Sequence, residues 1–292
     1  MVAQTIASGI FLGALYAISA LGFSLVWGVL GIVNMAHASF LTLGAYVAFL
    51  VSAHLGWDPF LSLPVGMAVL FVVGYLSQVS LLNRVFRSGL AMSLIATFGL
   101  GLVVTYTLML IFTADFRGVI LPYTGASTTV WGVILPYTRL GILAAAVIMV
   151  IGLSVFLNRT KLGLSIQATS LNRDAAQLVG VNTPRVYAAT MGIGAAIAGA
   201  AGMLASVVYS VQPYLGDPFI SRAFAVTVLA GMGSVGGTLV AGILLGVAES
   251  LGVLVIGPGY QEAIASGMVV LILLLRPTGL FGRQFFAGVK GG

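Results

Sequence analysis

Two glycine-containing polar stretches interrupt the long apolar runs of this 292-residue sequence, and they carry the residues best suited to contact a solute. The first contributes Gly31, Asn34, His37 and Ser39, and the second contributes Gly231, Gly233, Ser234, Gly236 and Gly237. Non-helical backbone at membrane depth is tolerated only where protein buries it or where it lines a wet cavity. Paired breaks in the two halves of a transporter point to its substrate path. We therefore predict that both stretches line such a path. The alternative is that they are turns at a membrane surface.

Catalytic and metal-binding patterns are absent from the sequence. It contains no cysteine and only two histidines, His37 and His54, which are too few for most metal sites. No GxxxxGK[ST] phosphate loop, HExxH motif or GxSxG elbow occurs. We therefore expect a chain that is not an enzyme and that binds no metal or cofactor. If transport uses ATP and Mg²⁺, partner subunits must bind them.

The composition places the chain in a membrane. Apolar residues make up 60% of it and charged residues only 6%, whereas soluble domains carry about a quarter charged residues. The net charge of +6 comes without the solvated basic patch that a nucleic-acid binder needs. The predicted fold class is an all-α polytopic membrane protein, with residues 1–292 forming a single transmembrane domain.

Apolar runs of about 20 residues, the length that spans a bilayer, predict eight transmembrane helices. They are Thr5–Trp27, Phe40–Ala53, Phe60–Leu82, Met92–Phe112, Leu140–Leu157, Val186–Val208, Thr238–Ile256 and Tyr260–Leu275. A ninth run, Phe219–Val235, is broken by glycine, and we expect a short or re-entrant element there. Small residues four apart, as at Gly9/Gly13 and Gly242/Gly246, predict close packing between helices.

The basic residues predict the orientation of these helices. Nine of the twelve fall in two loops and the tail that we place in the cytoplasm: Arg84, Arg87, Arg159, Lys161, Arg173, Arg185, Arg276, Arg283 and Lys290. The other three are assigned to outer loops: Arg117, Arg139 and Arg222. This arrangement requires an outer N-terminus and nine passes, with Phe219–Val235 crossing. If that segment is re-entrant, one other assignment must be wrong.

Two further features have both a functional and a structural interpretation. Glu249 is the one carboxylate well inside an apolar run, which favours a functional role by default, although a buried structural carboxylate is the alternative. The outer loop, residues 113–138, contains GVILPYT at Gly118–Thr124 and again at Gly132–Thr138. Two β-favouring runs around Gly125–Thr129 predict a hairpin. It would cover the outer mouth, contact an extracytoplasmic partner, or simply be ordered by its own packing.

The longest cytoplasmic loop, residues 158–187, predicts a docking element. Its apolar residues recur at spacings of three and four, the pattern of an amphipathic helix that ends near Gly180. The members of this pattern are Leu164, Ala168, Leu171, Ala175 and Leu178. Such a helix lies on lipid headgroups or docks into a groove of a partner.

Four segments carry a family resemblance. They are GVLGIVNMAHASFLTLGAYVAF at 28–49, NRDAAQLVGVNTPRVYAATMGIGAAIAGAAGML at 172–204, VLAGMGSVGGTLVAGILLGVAES at 228–250 and LRPTGLFG at 275–282. With these segments in this order, the sequence resembles the membrane permease subunits of ATP-binding-cassette importers for branched-chain (hydrophobic) amino acids over essentially its full length. Ala38 stands where that family usually has glycine in its NxAHG motif.

The resemblance implies a translocation path for branched-chain or other hydrophobic amino acids, or for related small carboxylates and amides. It implies a heterodimer with a second homologous permease, two cytoplasmic ATPase subunits that bind ATP and Mg²⁺, and an extracytoplasmic substrate-binding protein, all at a bacterial cytoplasmic (inner) membrane. The two glycine-containing stretches match two motifs of the family. Coupling to an ATPase is implied for Asn172, Arg173, Asp174, Ala175, Ala176, Leu178 and Gly180. The alternative is a stand-alone secondary transporter or channel, which would need its own coupling ions or pore.

Overall fold

The computed structural model describes residues 1–85, 89–119, 121–231 and 233–282, which form a helical membrane bundle with one small hairpin. Within these residues eight helical runs are long and apolar enough to span a membrane, which confirms the eight predicted spans. They are α1 (Val2–Leu30), α2 (His37–Leu55), α3 (Pro59–Ser77) with a π-helical continuation (Gln78–Leu82) and α4 (Asn83–Val85), α5 (Leu90–Phe112), α6 (Tyr137–Arg159), α9 (Thr183–Ala205), α11 (Val235–Ile256), and α12 (Gln261–Leu275) preceded by the 3-10 turn Pro258–Tyr260. The shorter elements are α7 (Lys161–Leu171), α8 (Arg173–Leu178), α10 (Asp217–Ala230), β1 (Ser127–Val130) and β2 (Val133–Pro136).

The helices α1 and α9 form the centre of the bundle, with 89% and 94% of their most apolar windows buried. Helix α1 packs antiparallel to α11 through the predicted small residues. A Cβ added to Gly9 would come within 2.6 Å of the Val247 backbone, and one added to Gly13 would come within 2.4 Å of the Gly242 carbonyl oxygen. Glycine at these positions therefore allows the two backbones to approach closely.

The ninth predicted segment crosses as a half-length helix joined to an irregular loop. Helix α10 has 14 residues, about 21 Å at a rise of 1.5 Å per residue, whereas the hydrocarbon core is about 30 Å thick. It runs beside the inner half of α1, since Phe219 contacts Tyr16 and Phe224 stacks on Trp27. Residues 206–216 complete the passage from the outer side. The described residues therefore run nine times between the two ends of the bundle, and the ninth segment is both short and crossing.

Basic residues gather at one end of the bundle. This end holds Arg84, Arg159, Lys161, Arg173, Arg185 and Arg276. The opposite end holds Asp58, Asp115, Arg117, Arg139 and Glu262. Under the positive-inside rule the first end is assigned to the inner side and the end with the N-terminus to the outer side, and this orientation stays a prediction. Arg87, Arg283 and Lys290, which were also assigned to the inner side, lie outside the described residues.

The outer loop contains a hairpin, but the predicted pairing of the two GVILPYT copies is wrong. Strand β2 belongs to the second copy, and its antiparallel partner β1 comes from the polar stretch between the copies. The chain reverses at Trp131–Gly132, where both φ angles are positive, 54° and 79°. Such a two-residue turn matches the twist of the flanking strands. Because this turn directly precedes the second copy, that copy pairs with the residues just before the turn.

The first GVILPYT copy packs against the bundle instead. Val119 and Leu121 are buried, while Ile120 lies outside the described residues. The Tyr123 hydroxyl donates a hydrogen bond to the carboxylate of Asp58, next to the start of α3. Burial, together with this carboxylate, raises the pKa of Tyr123, so the phenol keeps the proton that it donates. One sequence thus takes two structures, because each copy meets different neighbours.

The cytoplasmic loop forms two helices rather than the single amphipathic helix that the apolar spacing predicts. Asn172 has extended backbone angles, φ −156° and ψ 108°, and separates α7 from α8. Its side-chain oxygen accepts a hydrogen bond from the backbone N of Ala175 at 2.9 Å. Asparagine favours such capping over a helix interior, which explains the break. The chain leaves α8 before Gly180, whose φ of 87° fits the predicted stop.

Candidate functional site

The first polar break turns back into the membrane. Helix α1 ends at Leu30, and Gly31 follows with a φ of 69°, a conformation that favours glycine. The irregular residues 31–36 then return toward the middle of the bundle, because His37 Nε2 lies 2.9 Å from the carbonyl oxygen of Ser19. Ser19 precedes the end of α1 by 11 residues, about 16 Å at the helical rise. Helix α2 therefore begins at mid-depth and not at the inner surface.

The polar side chains of this break are buried and bonded to protein. The His37 ring nitrogen must donate to Ser19, because a carbonyl oxygen can only accept. Asn34 Oδ1 accepts from the backbone N of Ala36 at 3.1 Å, and Ser39 Oγ donates to the Gly101 carbonyl at 3.0 Å. These groups fix where α2 starts.

Replacement of His37 by leucine removes the donor to a buried carbonyl. The Ser19 carbonyl lies inside α1 and keeps its helical hydrogen bond, so the variant loses one additional hydrogen bond, about 0.5–1.5 kcal/mol, and we expect a lower melting temperature of the purified protein in lipid nanodiscs. His37→Gln keeps an N–H donor and is expected to lose less. If all three proteins melt together, the hydrogen bond does not support the break and this interpretation is wrong.

Helix α2 and the half-length helix α10 meet near the middle of the bundle. The backbone N of Gly216 donates to Thr42 Oγ1 at 2.9 Å, and a Cβ on Gly216 would lie 2.0 Å from the Ala38 carbonyl oxygen. The N-termini of α2 and α10 therefore lie side by side, one reached from the inner side and the other from the outer side. Ala38 itself lies in the first turn of α2, where a helical backbone accepts its Cβ.

The second polar break lies at the inner end of the bundle. Gly233 is 3.4 Å from the position of a Cβ on Gly28, which is near the inner end of α1. Ser234 caps α11 by accepting from the backbone N of Gly237 at 3.2 Å. Gly231, with a φ of 89°, ends α10, while Met232 lies outside the described residues. Gly236 is exposed in the first turn of α11.

The C-terminal LRPTGLFG segment covers this second break. The backbone N atoms of Leu280 and Phe281 donate to the carbonyl oxygens of Leu229 and Ala230 at 2.8 and 3.0 Å. These are among the last carbonyls of α10, which have no partner within the helix. A Cβ on Gly231 would lie 2.5 Å from the Gly282 backbone. Two motifs that are far apart in the sequence thus pack against each other at the inner end of the bundle.

A buried ion pair joins α10 and α11 to the centre of α1. Arg222 Nε donates to Glu249 Oε1 at 3.2 Å, and the Tyr16 hydroxyl donates to Glu249 Oε2 at 2.8 Å. Arg222 Nη1 also donates to the carbonyl of Pro218 at 2.8 Å, and its guanidinium lies 5.4 Å from the centre of the Tyr16 ring. Glu249 is fully buried and the Arg222 side chain is 9% exposed.

The position of Arg222 corrects its assignment to an outer loop. Counting charges by loop placed it outside, but it lies within α10 because the chain has already returned to mid-depth at Gly216. The sequence alone could have indicated that Arg222 lies inside the membrane. An arginine at the edge of a glycine-broken apolar run needs a partner, and Glu249 is the carboxylate that lies inside another such run.

A cavity of about 340 Å³ lies on the outer side of this ion pair. Tyr16, Phe219 and Arg222 line its deep end. Phe116 of the outer loop and Gln261 at the start of α12 line its outer end. The cavity therefore leads from the outer side of the bundle to a buried charge pair near the middle of α1. Tyr16, Tyr209 and this cavity are site features that the sequence analysis did not select.

Helix α8 presents an apolar surface on the inner side. The side chains of Leu178 and Val179 are 89% and 79% exposed, whereas Ala176 is buried against the bundle. Gln177 Nε2 donates to Thr183 Oγ1 at 2.8 Å, and the guanidinium of Arg173 lies 5.6 Å from the ring centre of Tyr187. Both contacts attach α8 to the start of α9. Five of the predicted coupling residues lie on α8 between Arg173 and Leu178, while Asn172 caps its start and Gly180 follows its end.

Comparison with known proteins assigns the chain to a family. Residues 5–275 match the model of the branched-chain amino acid transport system / permease component family. The high-affinity branched-chain amino acid transport system permease proteins BraD of Pseudomonas aeruginosa and LivH of Escherichia coli are each 31% identical to the chain, and each alignment covers 96% of the chain and 95% of the relative. The permease protein LivM of Salmonella typhimurium is 27% identical, over 91% of the chain and 67% of LivM. These relatives are transport permeases and not enzymes. The chain therefore belongs to the family of permease components of branched-chain amino acid transport systems.

Proposed function

We propose that this chain is one of two permease subunits of an ATP-driven importer in a bacterial cytoplasmic (inner) membrane. The solutes are branched-chain or other hydrophobic amino acids, or related small carboxylates and amides. The full-length similarity to BraD and LivH supports this solute class. The weaker similarity to LivM supports a heterodimer of two homologous permeases, because LivM is a permease protein that matches the same chain.

Two cytoplasmic ATPase subunits and an extracytoplasmic substrate-binding protein complete the proposed assembly. The observation that carries the ATPase proposal is the exposed apolar end of α8 on the inner side. An apolar side chain in this position fits a groove of a docking partner. ATP and Mg²⁺ are assigned to those partner subunits, since this sequence contains no phosphate-binding loop.

In the proposed mechanism, ATP binding and hydrolysis in the partners move α8, and α8 moves α9. The contacts of Gln177 and Arg173 connect the two helices. Helix α9 in turn packs on α2 and α3 through close glycine contacts, such as Gly199 against Gly44. The close contacts favour movement of these helices as a rigid group, which alternates access to a central path. The residues of the first polar break, Gly31 to Ser39, would act by fixing the start of α2.

Leu178→Asp tests the coupling proposal. Because the side chain is 89% exposed, the substitution leaves the packing of the bundle intact. It places a charge in the proposed ATPase contact, and we expect at least about a tenfold loss of ATP-dependent uptake, the effect of a well-buried interface residue. Uptake of labelled leucine into vesicles that contain the complete transporter measures this loss, and co-purification of the ATPases measures docking.

Ser170→Asp is the matched control, since Ser170 is exposed on α7 and receives the same charge. We expect this variant to retain uptake and ATPase binding. Normal uptake and docking with Leu178→Asp would remove α8 from the coupling site. Leucine uptake that persists without the ATPase subunits would instead indicate the alternative, a stand-alone transporter or channel.

A further inference from the structure

The Arg222–Glu249 pair requires an explanation beyond stability. Transfer of two charges out of water costs as much as their attraction returns, and well-packed apolar side chains often replace a buried ion pair without loss of stability. In this chain the pair lies among apolar helices in which charged residues are scarce. An ionisable group inside a membrane protein is therefore a candidate for a functional site.

The guanidinium of Arg222 has capacity left for a ligand. It carries five N–H groups, and the hydrogen bonds to Glu249 and Pro218 use two of them. The side chain also lines the deep end of the outer cavity. A guanidinium binds a carboxylate through two parallel N–H···O bonds, and it does so most strongly where water is scarce.

The cavity also suits the other parts of an amino acid. Its volume of about 340 Å³ falls in the range of small-ligand sites. Phe219 and Leu215 give an apolar wall for a hydrocarbon side chain. The Tyr209 hydroxyl and the Gln261 amide oxygen on the lining accept hydrogen bonds, as an ammonium group requires.

We propose that this outer cavity is an intramembrane binding site for a hydrophobic amino acid, with Arg222 holding its carboxylate and Glu249 keeping Arg222 oriented. The proposal rests on the proposed function, because it takes the solute class from there. Glu249 neutralises Arg222 in the empty site, so the charge is buried at low cost before the solute arrives. Because Glu249 also competes with the solute for the guanidinium, binding is weak and release toward the inner side remains possible.

The absence of cysteine from the sequence allows a direct test that does not depend on uptake. Ser210 lines the cavity and is exposed, so Ser210→Cys places one thiol on its wall with little change in size. The complete transporter is placed in nanodiscs without the substrate-binding protein, and the rate of maleimide labelling of this chain is measured with leucine or leucinamide. Ser127→Cys, on the exposed strand β1 outside the cavity, is the matched control.

We expect leucine to slow labelling of Ser210→Cys several-fold, and leucinamide, which lacks the carboxylate, to have little effect. In the double variant Arg222→Met/Glu249→Leu, the loss of a charged hydrogen-bonded contact should weaken protection by leucine about ten- to a hundredfold. Labelling of Ser127→Cys should not respond to either compound. Leucine uptake by the same transporter, with its substrate-binding protein added, tests the proposed function separately.

Two results would overturn the binding site. The first is unchanged labelling of Ser210→Cys at saturating leucine in a transporter that imports leucine, since the solute would then bypass the cavity. The second is equal protection in the double variant, since the carboxylate would then have another partner. A purely structural ion pair predicts this second result, because apolar replacements restore the packing.

Discussion

Gly202→Ala is expected to prevent the chain from reaching its folded state in the membrane. A Cβ on Gly202 would lie 1.7 Å from the carbonyl oxygen of Leu41 and 3.0 Å from the backbone N of Ala45. Only backbone atoms are in the way, so α2 and α9 must separate. Overpacking in a close-packed core costs about 1–3 kcal/mol and occasionally more, and we expect a loss at or above about 3 kcal/mol here. Yield and the monodisperse fraction after detergent extraction measure the effect.

Gly152→Ala is the matched control for this prediction. Gly152 lies in the middle of α6, and a Cβ there would meet no atom within 4 Å. Its yield should equal that of the parent chain, because alanine is favourable in a helix interior where space is available. If Gly202→Ala behaves like this control, the contact between α2 and α9 is looser than its geometry indicates.

Glu249→Leu is expected to have the second largest effect, because it leaves the Arg222 guanidinium buried without a counter-charge. Removal of one partner from a buried ion pair costs about 3–5 kcal/mol. The Tyr16 hydroxyl loses its acceptor at the same time. We expect a marked fall in the melting temperature of the protein in nanodiscs.

The double variant Arg222→Met/Glu249→Leu should recover most of this loss, since replacement of both charges by apolar groups is often neutral for stability. Recovery shows that the single variant fails because of an unpaired charge and not because of altered packing. A double variant that is as unstable as Glu249→Leu would show that the pair itself stabilises the bundle. The same variant can then report on solute binding, since it separates stability from function.

Long-range contacts explain why the sequence analysis missed the candidate site. Tyr16, Arg222 and Glu249 lie on three different helices, up to 233 positions apart, and their types alone do not show that they meet. Arg222 was assigned outside because counting charges by loop assumes that every apolar run crosses completely. The return of the chain to mid-depth at Gly216 breaks that assumption.

The two polar breaks show the same limit. Both contain glycine and short polar residues. The first break enters the membrane, whereas the second packs against the C-terminal segment at the inner end of the bundle. The difference comes from partners: His37 finds the Ser19 carbonyl at mid-depth, whereas Gly231 finds the chain around Gly282. Neither partner is close in sequence to the break that it stabilises.

The sequence by itself determined the membrane class, the eight spanning helices and the family, because each depends on hydropathy or motifs that are local along the chain. Only the tertiary structure decided that α10 is half-length, that the two identical GVILPYT copies differ, and that Arg222, paired with Glu249, lines an outer cavity. Those features depend on which surfaces meet. Local sequence fixes the elements, but burial and pairing between distant elements fix the site.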